Sequence, residues 1–187
     1  MVPRRSRRLI PGMSNGFPTC EGPSGSTRSV AGVMVTTLRE AGAGDLTGIL
    51  ALYRELRPHD PVLPEPIAQA KLAELIARSD IHLFVCDAGG ILAATCMLAI
   101  IPNLATATQP FGVIEHVVTL QAQRRRGYAQ QVMKHALAHA WSKGCYKVML
   151  LSGAQRPEAH RFYEALGFNG DVERGFVVKP MAEGQLP

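Results

Sequence analysis

Residues 123–132 read QRRRGYAQQV. In front of them stands VIEHVVTL (113–120), a run with almost no polar alternation. Behind them Val132, Met133, Ala136, Leu137, Ala140 and Trp141 recur at helical spacing. The first pattern predicts a strand buried on both faces. The second predicts a helix over 127–143, closed by Gly144. A strand, a basic turn ending in glycine and a helix together form an arrangement that binds phosphate. The first N–H groups of a helix have no internal partner, and the helix dipole adds positive potential. Gly127 lets a ligand approach the backbone, Ala129 keeps the next turn small, and Arg124, Arg125 and Arg126 add charge. The two better-known phosphate loops, G-x-x-x-x-G-K-[ST] and G-x-G-x-x-G, are not present. Taken alone, R-x-x-G-x-A also reads as a solvated basic bend.

Outward from this turn the periodicities alternate. Toward the N-terminus, HLFVCD (82–87) and ILAATCMLAI (91–100) flank Ala-Gly-Gly, a hairpin signal. Two helices precede the hairpin, one from Asp45 as cap through DLTGILALYREL and one over IAQAKLAELIARS (67–79). The four prolines of RPHDPVLPEP (57–66) make the link between them a loop, and VTTL (35–38) is a short first strand. Toward the C-terminus come YKVMLLS (146–152) as a second buried strand, a helix over PEAHRFYEAL stopping at Gly167, and ERGFVVKP (173–180) as a last strand. The predicted order is β-α-α-β-β-β-α-β-α-β. It is a mixed α/β domain, antiparallel around the hairpin and parallel in its second half.

The chain has 187 residues, is 47% hydrophobic and carries a formal charge of +5. Residues 1–33 hold five arginines against Glu21, a net +4, which leaves +1 for residues 34–187. The basic excess therefore belongs to a Pro-, Gly-, Ser- and Arg-rich tail, so nucleic acid is not an expected partner. The tail lacks the apolar surface to order itself and lacks the apolar stretch of a secretory signal. It reads as a disordered basic extension, as an early start with Met34 opening the folded part, or as a weakly transit-like segment. ILAATCMLAII (91–101) is too short to span a bilayer as a helix, so no membrane partner is expected. Cys20, Cys86, Cys96 and Cys145 form no C-x-x-C pair. Free thiols in a reducing, cytoplasmic compartment are expected, with neither disulfides nor a metal site.

From Met34 onward the chain resembles the GNAT superfamily of acetyl-CoA-dependent N-acetyltransferases. Arg124-x-x-Gly127-x-Ala129 matches that family's pyrophosphate loop. Val117-Val118-Thr119 matches the strand before it, and Phe162-Tyr163-x-x-x-Gly167-Phe168 matches a late family motif. GCYKVMLL (144–151) and IEHVV (114–118) look like the glucosamine-6-phosphate acetyltransferase branch. Two positions depart from the pattern. Arg156 stands where an Asn often precedes the last helix, and His116 stands where that branch carries a carboxylate. The resemblance implies a GNAT fold for 34–187, acetyl-CoA as cosubstrate, a primary amine of a small molecule as acceptor, and a homodimer. It implies CoA contacts from Val117, Val118, Thr119, Arg124, Arg125, Arg126, Gly127, Tyr128, Ala129 and Gln130. Acetylation of a protein N-terminus or lysine is the alternative, and a CoA-binding module without turnover is another.

Acetyl transfer from a thioester needs a neutral amine, a stabilised oxyanion and a protonated leaving thiolate. Glu115 is the candidate base, because a carboxylate inside an apolar strand is costly without a purpose or a partner. A structural ion pair would also explain it. Strand alternation turns His116 to the opposite face, so only one of the two is expected to face the acceptor. Tyr163 reads either as core with its hydroxyl satisfied or, as the resemblance implies, as the acid beside the CoA sulfur. A freed amide at Val118 is the expected oxyanion donor. Loops 57–61 and 102–112 are the expected acceptor walls.

Overall fold

A computed structural model describes residues 36–180. The tail read over 1–33 lies outside them. Five strands form one sheet in the order β1 (Thr36–Glu40), β2 (Ile81–Ala88), β3 (Leu92–Ile101), β4 (Phe111–Thr119), β5 (Val148–Leu150). The first three pairings are antiparallel and the last, β4 with β5, is parallel. The expected mixed sheet is therefore present, and the tight hairpin turns through Gly89 and Gly90 at φ 68° and 90°.

Pairing sorts the side chains onto two faces. Phe84, Cys96, Leu98 and Ile114 face helix α3 (Tyr128–Ser142), which buries Val132, Met133, Ala136 and Ala140 against them. On the other face Leu83, Val85, Leu92 and Val118 meet Leu52 of α1 (Leu46–Leu56) and Leu72 of α2 (Glu65–Ile76). A helix with an apolar stripe is stable only where that stripe is covered, and the sheet covers both. Asp45 stands at the α1 N-cap as expected, but its carboxylate does not cap the helix. It accepts the Gly42 N–H at 2.7 Å and pairs with Arg39, at 2.6 Å in its shorter contact. That pairing with Arg39 holds its carboxyl below the usual carboxylate range.

Three expectations need correction. Residues 173–180 form no strand. Gly175 interrupts the run where it passes Leu151, close enough that an added Cβ would lie 2.4 Å from Leu151 Cδ2. Phe176 and Val178 are 88% and 95% exposed, so nothing among the described residues covers an apolar strand there. Residues 146–152 shrink for the same reason: with no strand on its outer side among the described residues, β5 keeps only three residues and leaves Met149 and Leu151 exposed. Finally, β4 is not buried on both faces throughout, because Glu115, His116 and Val117 are only half-buried.

At the other end of the sheet, His82 is 7% exposed, and its Nδ1 lies 2.9 Å from Glu40 Oε1. Its Nε2 lies 3.3 Å from Nε2 of His139 on α3. Burial first, then the neighbouring His82 and Lys143, lowers the pKa of His139 below its usual 6.5. The folded state thus binds this proton less readily than the unfolded chain. The stabilisation is complete above about pH 6.5, the unfolded value, and is lost as pH falls through the folded value. Melting temperatures at pH 7.5 and 5.5 are expected to differ less in His139→Gln than in the native chain. An equal acid sensitivity in both would contradict this.

Candidate active site

Strands β4 and β5 pair only through Gly112–Val148, Val113–Met149 and Ile114–Leu150. Beyond Ile114 they part, and one edge of β4 from Glu115 to Thr119 is left without a strand beside it. On its other edge β4 changes register against β3: Glu115 opposes Met97 and Val118 opposes Thr95, so two residues of β4 face the single Cys96. This is a bulge, and its residue His116 has φ 54°, in the left-handed region a non-glycine residue seldom enters. The bulge breaks the strict alternation expected of the strand. His116 does not turn into the α3 side of the core; its ring lies 5.3 Å from that of Tyr53 on α1.

The arginine turn follows directly. Gly127 is the N-cap of α3 at φ 81° and Arg125 has φ 61°. Left-handed residues inside a turn swing successive amides toward a common centre. The backbone N–H groups of residues 125–130 donate to no acceptor among the described residues. A Cβ added to Gly127 would meet only Gln131 Nε2, at 4.0 Å. The space beside Gly127 is thus open, and the end of α3 adds its dipole. Arg125 and Arg126 are exposed beside it. Arg124 is partly engaged, with Nη2 3.6 Å from Glu55 Oε2. Glu55 also accepts the Gln121 N–H at 2.6 Å and so ties the turn to α1. The ring of Tyr128 is core, packed with Val132 and Phe84, so only its amide belongs to the cradle. Val118 likewise gives its side chain to the core and leaves only backbone to the slot.

After β5 comes α4 (Pro157–Glu164), begun by a proline in its first turn and followed by Gly167 at φ 92°; Phe162, Tyr163, Leu166 and Phe168 pack against the α3-side core. Tyr163 packs between Phe162 and Phe168, with ring centroids 5.2 and 6.0 Å away. Its hydroxyl has no hydrogen-bond partner among the described residues. Burial raises its pKa; Arg156 works against the shift and the Glu115 carboxylate adds to it. Glu115 forms no ion pair among the described residues, so the structural alternative for it has no visible partner.

A cavity of about 250 Å³ opens on the α1 side of the bulge. Tyr53, Arg54, Arg57, Asp60, Val62 and His116 line it. Arg57, Asp60 and Pro61 of the 57–61 loop are part of its lining. The 102–112 segment does not reach this cavity, and His59 is not among its lining residues. Tyr53, Arg54 and His116 were not singled out as wall residues in the sequence. A histidine inside an apolar strand was the available signal, but the bulge that turns it toward α1 is not visible in a string of residues.

A thiol ester bound with its phosphates on the free amides and its acyl end at the bulge would lie between Tyr163, Glu115 and this cavity. The chain belongs to the acetyltransferase (GNAT) family, whose model matches residues 49–168. It is therefore an acyltransferase. It is 33% identical over 124 residues to glucosamine 6-phosphate N-acetyltransferase 1 of Oryza sativa subsp. japonica, an alignment spanning 65% of this chain and 73% of that one. Among solved structures, a protein of Agrobacterium tumefaciens str. C58 is 44% identical, with a TM-score of 0.74 over 77% of this chain and 99% of its own. An acetyltransferase of Trypanosoma brucei is 28% identical, with a TM-score of 0.67 over 78% of this chain and 100% of its own.

Proposed function

We propose that the protein moves acetyl from acetyl-CoA directly to the primary amine of a small molecule within a ternary complex. The observation that carries this reading is the row of six free amides at residues 125–130, beside a parted strand edge that leads to Glu115 and Tyr163. Phosphate oxygens of CoA would satisfy the amides, with Arg124, Arg125 and Arg126 around them. Backbone of Val117, Val118 and Thr119 would run beside the pantetheine arm. Glu115 would supply the negative charge that draws out the ammonium proton, and Tyr163 would protonate the thiolate. None of these steps calls on a metal ion.

Arg54 and Arg57 line the cavity, and neither forms an ion pair among the described residues. Two uncommitted guanidiniums favour an acceptor that carries an anionic group, such as the amino-sugar phosphate of the rice relative's name. A protein N-terminus or lysine is the second reading, and the limited cavity volume speaks for the smaller acceptor. A CoA-binding module without turnover has no need of Tyr163 or Glu115 in their present places. Thiol release with acetyl-CoA and a panel of amino-sugar phosphates, unphosphorylated amino sugars and peptide amines tests the reading. Turnover on peptides alone would refute the small-molecule acceptor.

We also propose a homodimer, supported by the uncovered apolar residues Leu151, Phe176, Val177 and Val178 at the β5 edge. Sedimentation equilibrium reads this directly, and a monomer at micromolar concentration would refute it. The cytoplasm is the proposed compartment, supported by the buried thiols of Cys86, Cys96 and Cys145, which a reducing environment preserves. Cell fractionation decides it.

A further inference from the structure

Four independent observations converge on His116. It occupies the bulge of β4 at φ 54°. Backbone held in a sparsely populated region costs of order 1–3 kcal/mol and persists where the surroundings enforce it, often at sites of chemistry. Its Nδ1 is shut off from solvent and has no hydrogen-bond partner among the described residues. Its Nε2 is not sealed in this way and bonds to nothing among the described residues. Its ring lies against Tyr53 and lines the cavity proposed for the acceptor. A structural histidine would be expected to use at least one ring nitrogen in the fold. His82, His139 and His160 each do so, and His135, which does not, packs edge-on against Phe84 and is no part of this cavity's lining.

We propose that His116 is a catalytic residue: Nε2 receives the proton of the bound ammonium, and Glu115 supplies charge rather than taking that proton itself. The inference rests on the acetyltransfer reading above and deepens it. The groups that share the cavity with the imidazole are Tyr53 and Arg54 from α1 and Arg57 and Asp60 from the loop, and Glu115 precedes it on its own strand. Burial pushes the Tyr53 hydroxyl up to about 12, so it stays neutral and does not compete as a base. In the step proposed, an N–H bond of the ammonium breaks, its electron pair stays on nitrogen, and the proton passes to Nε2. The free pair then attacks the thioester carbonyl carbon and the C=O pair moves to oxygen. When the carbonyl re-forms, the C–S bond breaks with its electrons on sulfur. Tyr163 protonates that thiolate and regains a proton from the new amide nitrogen. The proton on His116 leaves to solvent, so each turnover releases one amide, one CoA thiol and one proton.

The test is kcat/KM from pH 6 to 9 with an accepted amine for the native protein, His116→Asn and Glu115→Gln, beside CoA titration of each. Asparagine tolerates positive φ better than most residues, so the bulge is kept in the first variant. His116→Asn is expected to lose the acidic limb of the profile and about 10²-fold in kcat/KM at pH 7, with CoA affinity near native. Glu115→Gln is expected to be slower but to keep that limb. A second variant, His116→Gly, suits the backbone and leaves room for a free ring; added imidazole is expected to restore part of its rate. A native acidic limb in His116→Asn, its loss in Glu115→Gln alone, or no rescue of His116→Gly would each overturn the proposal. An unaltered protein that binds CoA but acetylates no amine would overturn the acetyltransfer reading along with it.

Discussion

Replacing Tyr163 by phenylalanine is expected to lower kcat by about 10²-fold or more, the usual scale of general acid catalysis, with CoA affinity little changed. The substitution keeps the ring, and therefore its edge-to-face packing against Phe162 and Phe168. It removes one hydroxyl, which has no partner within the described residues and so leaves no orphan behind. Burial raises the pKa of that hydroxyl above its ordinary 10. The group therefore carries its proton throughout the neutral range and can give it to a departing thiolate. Steady-state kinetics with an accepted amine, alongside CoA titration, separates the two effects. A native kcat in Tyr163→Phe would reduce the residue to packing.

The second large effect belongs to the turn. Gly127→Val is expected to weaken CoA binding at least tenfold, about 1.4 kcal/mol, in calorimetric titration. Two costs act together. At φ 81° a side chain strains the backbone, by about 1–2 kcal/mol. The new branched group also projects into the open space beside Gly127, where phosphate oxygens would lie. Circular dichroism must show the fold retained, since the strain falls on the first turn of α3. Unchanged CoA affinity would refute the cradle.

Much of this was legible in the residues. The turn at 123–132 announced both its strand and its helix, because a glycine after three arginines is poor material for either element's interior. The hairpin declared itself through Ala-Gly-Gly, and α4 through Pro157 and Gly167. ERGFVVKP misled because its β-branched content is real, yet a strand is a property of two neighbours and this segment has none among the described residues. The bulge was inaccessible for a related reason. Register is decided by which residues of β3 and β4 meet, and nothing in HVV says that one of them will be skipped. The alternation rule, which sets Glu115 and His116 on opposite faces, holds only while the ladder is regular.

The parting of β4 and β5 has a mechanical meaning. The two strands form a fork whose pivot is the three pairs Gly112–Val148, Val113–Met149 and Ile114–Leu150. One prong bears Glu115 and the bulge; the other leads into α4 and so carries Tyr163. In the proposed reaction the reach between Glu115 and Tyr163 is an angle before it is a distance, set by that short pivot. A donor bound there as proposed would act as a wedge and gauge the spacing at which its own chemistry occurs.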